Sequence, residues 1–393
     1  MIITRKNLNN ILVNLAQGLD IPDSYFELAR LRYQSIGNWL EREESIVSTY
    51  APEIYPQGSF ALGTIIKPIS NKDEYDIDLV CRLALSKADL TQKRLKELIG
   101  LELADYVSAY SMNNRPRERR RCWAINYAEG ARFHLDVLPS IPECVHQESN
   151  EIAITDNQRP NYALISDDWI SCNPVDYADW FKSRMKVQLY INRMRLAEAI
   201  KANVEDVPEY KVKTPLQRAI QILKRHRDMT YRGSPNDKPV SILITTLAAH
   251  AYDNEADTLE GLVNIVTRMS TFIKEKEGVI WVENPVNKSE NFADKWQEYP
   301  QRQTEFFNWL NSAEADILEA VNSTDFQGAT KSLKRQFGGM AINEALKDVN
   351  QPEKILSTPV NGSLSIIGAA NLGHQEPAVL TITRPDKPWG WRS

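Results

Sequence analysis

The sequence has few cysteines, and they show no metal-binding spacing. Its 393 residues include Cys81, Cys122, Cys144 and Cys172, and no two of these form a C-x-x-C pair. Closely spaced cysteine pairs are the usual sign of a structural zinc site, and a dense cysteine pattern marks small disulfide-bonded proteins. The sequence therefore argues against a zinc site and implies no disulfide framework.

Long apolar runs and a net positive charge are also missing. No stretch approaches the roughly 18 consecutive apolar residues of a membrane-spanning helix, and the first ten residues lack the apolar core of a signal peptide. We therefore expect a cytoplasmic protein without a membrane partner. The formal net charge is −5, so the chain as a whole is not a binder of polyanions. Any contact with nucleotides must come from a local basic surface.

The sequence does contain enough apolar residues for two cores. Hydrophobic residues make up 42% of the chain, and 9 Trp and 15 Tyr argue against disorder. Apolar spacing predicts helices over residues 4–19, 23–48 and Lys87–Tyr110. Short runs rich in β-branched residues predict strands at Gly63–Lys67, Asp76–Leu83, Cys122–Tyr127, Phe133–Pro139 and Glu151–Thr155. Residues 1–170 are therefore predicted to form a mixed α/β lobe that includes N-terminal helices.

After Pro174 the predicted structure becomes almost wholly helical. Helical spacing recurs over residues 175–201, 214–231, 240–252, 257–277, 302–321, 325–337 and 341–349. Residues 171–350 are therefore predicted to form a helical lobe. Residues 351–393 are rich in Pro and Gly and are predicted to be an extended tail with one strand at Ala378–Ile382.

Two carboxylates lie on one predicted strand, shortly after a Gly-Ser turn. Side chains alternate along a strand, so Asp76 and Asp78 share a face about 7 Å apart, and a cation between them relieves their repulsion. Mg²⁺ suits such a pair because it accepts carboxylate and phosphate oxygens. Asp136 lies in another predicted strand, and if the two strands are neighbours it completes a two-metal site. His134 is expected to point away from Asp136. The alternative is an acidic, exposed strand face.

The predicted phosphate contacts fall on both lobes. Gly58 can take backbone angles that let the chain approach a phosphate closely, and Ser59 adds a hydroxyl and a backbone N–H. Residues 216–228 form an amphipathic basic helix, from which Lys224 is expected to reach the β- or γ-phosphate across a cleft. Ser241 begins a very apolar helix and offers a second hydroxyl. The alternatives are a solvated basic face for the helix and a cap or buried hydroxyl for Ser241.

Five arginines lie within residues 115–121. Such a run is able to bind nucleic acid or an acidic partner. No aromatic residues alternate with the arginines, as a stacking platform for bases would require. We therefore favour a solvated hairpin or a lateral contact with phosphates over the binding of nucleic acid.

Three segments together resemble one enzyme family. They are G-S-F-A-L-G-T with D-I-D-L-V, then F-H-L-D-V-L-P, then L-Q-R-A-I-Q-I-L-K-R-H-R-D. These segments are similar to the bacterial cGAS/DncV-like nucleotidyltransferases, the signal-making enzymes of cyclic-oligonucleotide anti-phage systems. Residues Asn284–Asn291 also resemble a loop shared with the oligoadenylate-synthase branch. The resemblance spans residues 50–300, most of the chain.

The resemblance implies an α+β fold: a polymerase-β-like nucleotidyltransferase lobe with a small mixed sheet, and a helical C-terminal lobe. It places the active site in the cleft between the lobes. It implies that nucleoside triphosphates, ATP among them, are joined into a cyclic di- or trinucleotide that activates an effector protein, with two Mg²⁺ or Mn²⁺ ions as cofactors. The residues that match the family's catalytic metal ligands are Asp76, Asp78 and Asp136. The residues that match its phosphate contacts are Ser59, Lys224 and Ser241.

Two other functions are open from the sequence alone. The same metal site would serve a nucleotidyltransferase that modifies an RNA end, a protein hydroxyl or a small molecule. A non-catalytic relative would only bind nucleotide or RNA. The choice of bases, the linkage and the ring size depend on pocket side chains that the sequence does not place.

Overall fold

A seven-stranded sheet and a group of helices make up the chain in this computed structural model. The structure describes residues 3–70, 74–127, 133–144, 149–234, 237–347 and 349. The predicted tail, residues 351–393, and its strand at Ala378–Ile382 lie outside these ranges. Of the described helices, none is both long and apolar enough to cross a bilayer.

The strands and helices follow one another from a mixed half to a mainly helical half. The strands are β1 (Glu53–Pro56), β2 (Tyr75–Arg82), β3 (Arg117–Glu118), β4 (Trp123–Asn126), β5 (Phe133–Pro142), β6 (Ile152–Ile154), β7 (Ile170–Cys172), β8 (Lys274–Lys276), β9 (Val279–Trp281), β10 (Glu283–Asn284) and β11 (Asn287–Asn291). The helices are α1 (Arg5–Gly18), α2 (Asp23–Glu41), α3 (Gly58–Ala61), α4 (Gln92–Ala109), α5 (Pro174–Ile200), α6 (Pro215–Thr230), α7 (Ser241–Ala251), α8 (Thr258–Arg268), α9 (Lys295–Glu298), α10 (Pro300–Asn322), α11 (Phe326–Phe337) and α12 (Gly339–Lys347).

The sheet is mixed, and its parallel pair lies in the middle. Its strands run in the order β1-β2-β5-β4-β3, while β6 pairs with the end of β5 and β7 pairs with β6. Strands β2 and β5 are parallel, and such a pair needs a crossover connection, which contains α4. The register sets Asp76 beside His134 and Asp78 beside Asp136. The strand pairing on which the predicted three-aspartate site depends is therefore present.

One face of the sheet is apolar and covered by helices. Ile77, Leu79 and Leu135 are fully buried there and belong to one core with Ile36 of α2 and Leu103 of α4. Because side chains alternate along a strand, burial of these positions turns the intervening polar positions of β2 and β5 to the opposite face. The apolar packing thus aims the carboxylates.

Helix α1 packs with the helical half rather than with the sheet. Thr4 caps the helix by accepting a hydrogen bond from the backbone N–H of Asn7. The apolar face of α1, which includes Leu8, Ile11 and Leu15, joins the core of α6, α8 and α12. The division into residues 1–170, 171–350 and 351–393 stays a prediction, and in the packing α1 lies with the second of these segments.

The predicted strand at Gly63–Lys67 is wrong. Residues 62–67, which we name the strap, direct most of their backbone carbonyls at side chains of α6 and of Lys213, two residues before that helix. Gln221 Nε2 donates to Ile65 O at 3.0 Å, and Lys213 Nζ donates to Gly63 O at 2.7 Å. Strand propensity reflects the fit to a neighbouring strand, whereas here the backbone groups find side-chain partners.

The predicted helix over residues 257–277 is too long. Helix α8 ends at Arg268, and β8 and β9 form a hairpin. The turn residues Glu277 and Gly278 have φ angles of 53° and 77°, which an α-helix cannot hold and a two-residue hairpin turn requires. The segment Asn284–Asn291 likewise forms the β10–β11 pair, so the second half is not wholly helical.

Candidate active site

The Gly-Ser turn stands directly beside the aspartates of β2. The backbone N–H of Gln57 donates to Asp78 O at 2.9 Å, which ties the start of α3 to the strand. Gly58 has a φ of +60°, and a Cβ atom at this position would lie 2.8 Å from Asp78 Oδ2. Both the backbone angle and the available space therefore require glycine, and Ser59 follows at the cleft surface.

Acidic side chains of β2 and β5 converge on the polar face of the sheet. Ligand atoms of Asp76, His134 and Asp136 all lie within 4.8 Å of one another. His134 Nε2 lies 3.0 Å from Asp76 Oδ1. Asp136 Oδ1 is buried and has no hydrogen-bond partner in the described part of the chain. A buried carboxylate oxygen without a donor is costly, so the cluster has the composition and the open ligand position of a cation site.

The prediction that His134 faces away from Asp136 is wrong. Residues two apart on a strand share a face, and both side chains belong to the same cluster. The rule that paired Asp76 with Asp78 would have identified His134 as a member of the site. The parallel register then brings His134 next to Asp76.

The carboxylates of the cluster shift one another's pKa values. Burial, together with the charges of Asp76 and Asp136, raises the pKa of Asp78 to about 7. Burial and the charge of Asp76 also raise the pKa of Asp136. The contact with His134 lowers the pKa of Asp76, and the same contact raises the pKa of His134. Like charges this close are stabilised when a cation lies among them, and carboxylate oxygens are ligands for hard divalent cations.

Three of the five clustered arginines are ion-paired. Arg119 Nη1 donates to Asp136 Oδ2 at 2.7 Å. Arg120 and Arg121 contact the two carboxylate oxygens of the fully buried Asp156 at 2.8 and 3.1 Å. This part of the run holds the loop before β4 in place, and Arg119 adds a positive charge and a hydrogen bond to the third aspartate.

A cleft of about 730 Å³ separates the sheet from the helices. Lys224 lies on its helical side, where the ammonium nitrogen donates to both Thr64 O and Thr64 Oγ1 at 3.1 Å. Burial lowers the pKa of Lys224 to about 7. The predicted site residues that line the cleft are Gly58, Ser59, Asp76, Asp78, Lys224 and Ser241. Asp136 lies beside Asp78 on the neighbouring strand. The structure thus gathers all seven predicted residues, and their roles stay predictions.

Arg227 also lines the cleft, and the sequence reasoning missed it. Its Nη1 atom donates to Ser241 Oγ at 2.8 Å and to Pro239 O at 3.0 Å. Arg227 follows Lys224 by three positions, and residues three apart lie on the same face of a helix. That spacing was the available signal. The Ser241 hydroxyl is therefore held by an arginine and forms no side-chain cap of α7.

Comparison with known proteins identifies the sheet half. Residues 52–139 match the family described as the cyclic GMP-AMP synthase DncV-like nucleotidyltransferase domain. This range runs from the start of β1 through the Gly-Ser turn to Asp136. These residues form a DncV-like nucleotidyltransferase domain. The chain is therefore a nucleotidyltransferase.

Two curated proteins resemble this nucleotidyltransferase over most of its length. The c-di-GMP synthase of Roseivirga ehrenbergii is 27% identical over 361 residues, which cover 89% of this chain and 91% of that protein. The cyclic dinucleotide synthase CdnG of Bradyrhizobium diazoefficiens is 28% identical over 361 residues, which cover 88% of this chain and 83% of that protein.

Solved structures of cGAS/DncV-like nucleotidyltransferases share the fold. CdnG of B. diazoefficiens in complex with GTP superposes with a TM-score of 0.69 at 24% identity, covering 88% of this chain and 99% of that one. CdnC of Escherichia coli MS115-1 in its HORMA-deltaN complex gives 0.60 at 14% identity, covering 84% and 96%. Vibrio cholerae DncV gives 0.53 at 16% identity, covering 87% and 89%. The predicted α+β, polymerase-β-like fold with a small mixed sheet is confirmed.

Proposed function

We propose that this nucleotidyltransferase joins nucleoside triphosphates, GTP among them, into a cyclic dinucleotide. The observation that carries the proposal is that Asp76 and Asp78 line one cleft with Ser59 and Lys224, while Asp136 lies beside Asp78 on the neighbouring strand. The names of both curated relatives support a dinucleotide product, and the name c-di-GMP synthase supports guanine as a base. From the sequence alone we expected a cyclic di- or trinucleotide made with ATP among the substrates. We now propose a dinucleotide as the product and GTP as a further substrate.

The carboxylate cluster would hold the divalent cofactor, which we propose to be Mg²⁺ or Mn²⁺ as two ions. Asp136 Oδ1 has no partner among the described residues, and Asp76 and Asp78 add oxygens from the neighbouring strand. When bound, divalent cations lower the pKa of an attacking hydroxyl and offset phosphate charge. His134 keeps Asp76 ionised, since their contact lowers the pKa of that carboxyl.

The helical side of the cleft supplies the positive charge for the triphosphate. Lys224 and Arg227 lie there with the Ser241 hydroxyl. A nearby phosphate favours the charged form of an amine, so a bound triphosphate would raise the lowered pKa of Lys224. Gly58 lets the backbone approach the phosphates, and Ser59 provides a hydroxyl on the sheet side. Positioning and charge stabilisation then carry the transfer.

Product analysis tests the proposal directly. The purified protein is incubated with Mg²⁺ and each combination of the four nucleoside triphosphates, and phosphatase-resistant products are identified by mass spectrometry. We expect a cyclic dinucleotide that contains guanine. We expect Asp76→Asn with Asp78→Asn to lower its formation by roughly 10³-fold or more, because the variant loses cation ligands and their charge.

A control variant separates loss of the site from loss of a surface charge. Asp105 is an exposed carboxylate on α4, away from the cleft, and Asp105→Asn should retain full activity. An unchanged product yield in the double variant would contradict the proposed site. A cyclic trinucleotide, or a mass-shifted acceptor in place of a cyclic product, would contradict the proposed product.

We further propose that the product activates a separate effector protein in anti-phage defence, in the cytoplasm. The family resemblance supports this role. Phage plating on cells that carry the chain with its neighbouring genes tests it. Wild-type cells should resist phage and Asp76→Asn cells should not, and equal plating on both would contradict the role.

A further inference from the structure

Thr64 forms hydrogen bonds with one proposed phosphate contact in the sheet half and with another in the helical half. The residue is fully buried in the strap. Its backbone N–H donates to Ser59 O at 2.9 Å. Its carbonyl and hydroxyl oxygens both accept from Lys224 Nζ at 3.1 Å. A single residue is therefore bonded to both Ser59 and Lys224.

The strap around Thr64 is fixed to the helical half along its length. Gln217 Nε2 donates to Leu62 O, and Gln221 Nε2 donates to Ile65 O, each at 3.0 Å. Lys213 Nζ donates to Gly63 O at 2.7 Å. These contacts use backbone carbonyls of the strap. Thr64 adds its side-chain hydroxyl, so a change of side chain at this position alters the contact with Lys224 while the backbone contacts of its neighbours stay in place.

The buried ammonium group of Lys224 needs hydrogen-bond acceptors such as the two oxygens of Thr64. A lysine ammonium is a compact charge with three donors on a flexible four-carbon stem, and burial disfavours its charged form. In the described residues its two hydrogen bonds both go to Thr64. Two of its three donors are thereby directed into the strap, and the third is left for a group in the cleft, which Lys224 lines.

We propose that Thr64 is a positioning residue that sets the spacing between Ser59 and Lys224 for a nucleoside triphosphate. The inference rests on the proposed function for the identity of the ligand. Without the hydroxyl, the ammonium group keeps one partner and gains freedom to move away from the phosphate. Loss of the hydroxyl should therefore weaken triphosphate binding while the fold is retained.

Binding of α,β-methylene GTP with Mg²⁺, measured by calorimetry, tests the inference without turnover. Thr64→Val keeps the side-chain shape and removes the hydroxyl, and we expect about tenfold weaker binding, the effect of one hydrogen bond to a charged group. Thr64→Ser restores the hydroxyl and should bind within about twofold of wild type. The matched control is Thr246→Val, since Thr246 is also fully buried with its hydroxyl 2.7 Å from Tyr177 Oη, and its affinity should not change.

A second readout separates positioning from general damage. Thr64→Val should leave the affinity for GMP unchanged, because GMP lacks the β- and γ-phosphates, and should raise KM for GTP more than it lowers kcat. Equal analogue affinity in Thr64→Val and wild type would overturn the inference, as would equal losses for GMP and for the analogue. If Thr64→Val does not fold, Thr64→Ser decides: a loss of affinity beyond about threefold overturns the inference.

The two proposals fail differently. A wild-type protein that binds the analogue and makes no cyclic product contradicts the proposed function, while the comparison of Thr64 variants still tests the inference. A wild-type protein that binds none of the four α,β-methylene nucleotides overturns both.

Discussion

The two sides of the cleft carry opposite charge and are built in different ways. On the sheet side, Asp76, Asp78 and Asp136 crowd on two neighbouring strands, and Asp136 Oδ1 has no partner in the described ranges. On the helical side, Lys224 and Arg227 already donate to oxygens of the protein. The helical side is therefore preformed, whereas the sheet side is short of positive charge until a cation binds.

This difference follows from the local geometry of each element. A strand repeats every two residues, so two carboxylates on one face are held close whether or not they repel. A helix offers one polar stripe, and long side chains from α6 reach the strap across the boundary between the two cores. Repulsion between the carboxylates on the sheet side thus lowers the stability of the fold, and such a cost is common at active sites.

After the loss of the aspartates themselves, the largest effect should come from closing the space between the Gly-Ser turn and the strand. Gly58→Ala would place a Cβ atom 2.8 Å from Asp78 Oδ2, at a φ of +60°. The turn or the aspartate must move, and a displacement near 1 Å costs about 10²-fold in activity. Steady-state rates of product formation measure this effect.

Gly18→Ala is the matched control, because a Cβ atom at Gly18 meets nothing within 4 Å. Its rate should equal the wild-type rate. Comparable rates for both glycine variants would show that the turn tolerates the displacement. That result would contradict the prediction that activity requires the close approach of the turn to the strand.

The pairing of Arg119 with Asp136 is the next contact to break. Arg119→Met removes the donor at 2.7 Å from Asp136 Oδ2 and lets the carboxylate turn. Partners that orient metal ligands typically contribute 10–100-fold to affinity or activity, so we expect kcat to fall by about tenfold. Arg117→Met, on the exposed strand β3 of the same run, should leave kcat unchanged. Equal kcat for both variants would contradict an orienting role for Arg119.

Because the carboxylates on the sheet side lack a cation, the stability of the fold should depend on pH. The pKa of Asp78 is raised from 3.8 to about 7 in the folded protein, so the group contributes stability below pH 4 and loses it as the pH rises through 7. Asp78→Asn in EDTA should therefore be more stable than wild type at pH 8, by roughly 1 kcal/mol, with a smaller difference at pH 5. Urea unfolding at both pH values measures this, and a larger gain at pH 5 would contradict it.

His226, near the C-terminal end of α6, should change the stability in the opposite direction with pH and by the smallest amount. His226 is buried with Nε2 3.0 Å from Asp316 Oδ2, and burial lowers its pKa below 6.5. A lowered pKa means that stability is full above pH 6.5 and falls as the pH drops through the folded-state value. His226→Gln should flatten this decline by less than about 1 kcal/mol. Parallel unfolding midpoints for both proteins between pH 5 and 7.5 would refute the assignment.

Sequence patterns predicted the sheet side of the site better than the helical side. The period of two placed Asp76 and Asp78 on one face, and parallel pairing of β2 with β5 then added Asp136. The same period would have added His134. By contrast, the β-branched run Gly63–Lys67 predicted a strand and forms the strap, because α6 satisfies its carbonyls. Local propensity does not register a partner so distant in the sequence.

By itself, the sequence determined the strands β2, β4, β5 and β6, the residues of the carboxylate pair and the family that these motifs resemble. These features depend on local periodicity and on motifs within a few residues. The tertiary structure decided which charges meet: Arg119 with Asp136, and Lys224 with Thr64 beside Ser59. Strand register and helix packing set those pairs, because hydrogen bonds act over about 3 Å, a distance that spacing along the chain does not specify.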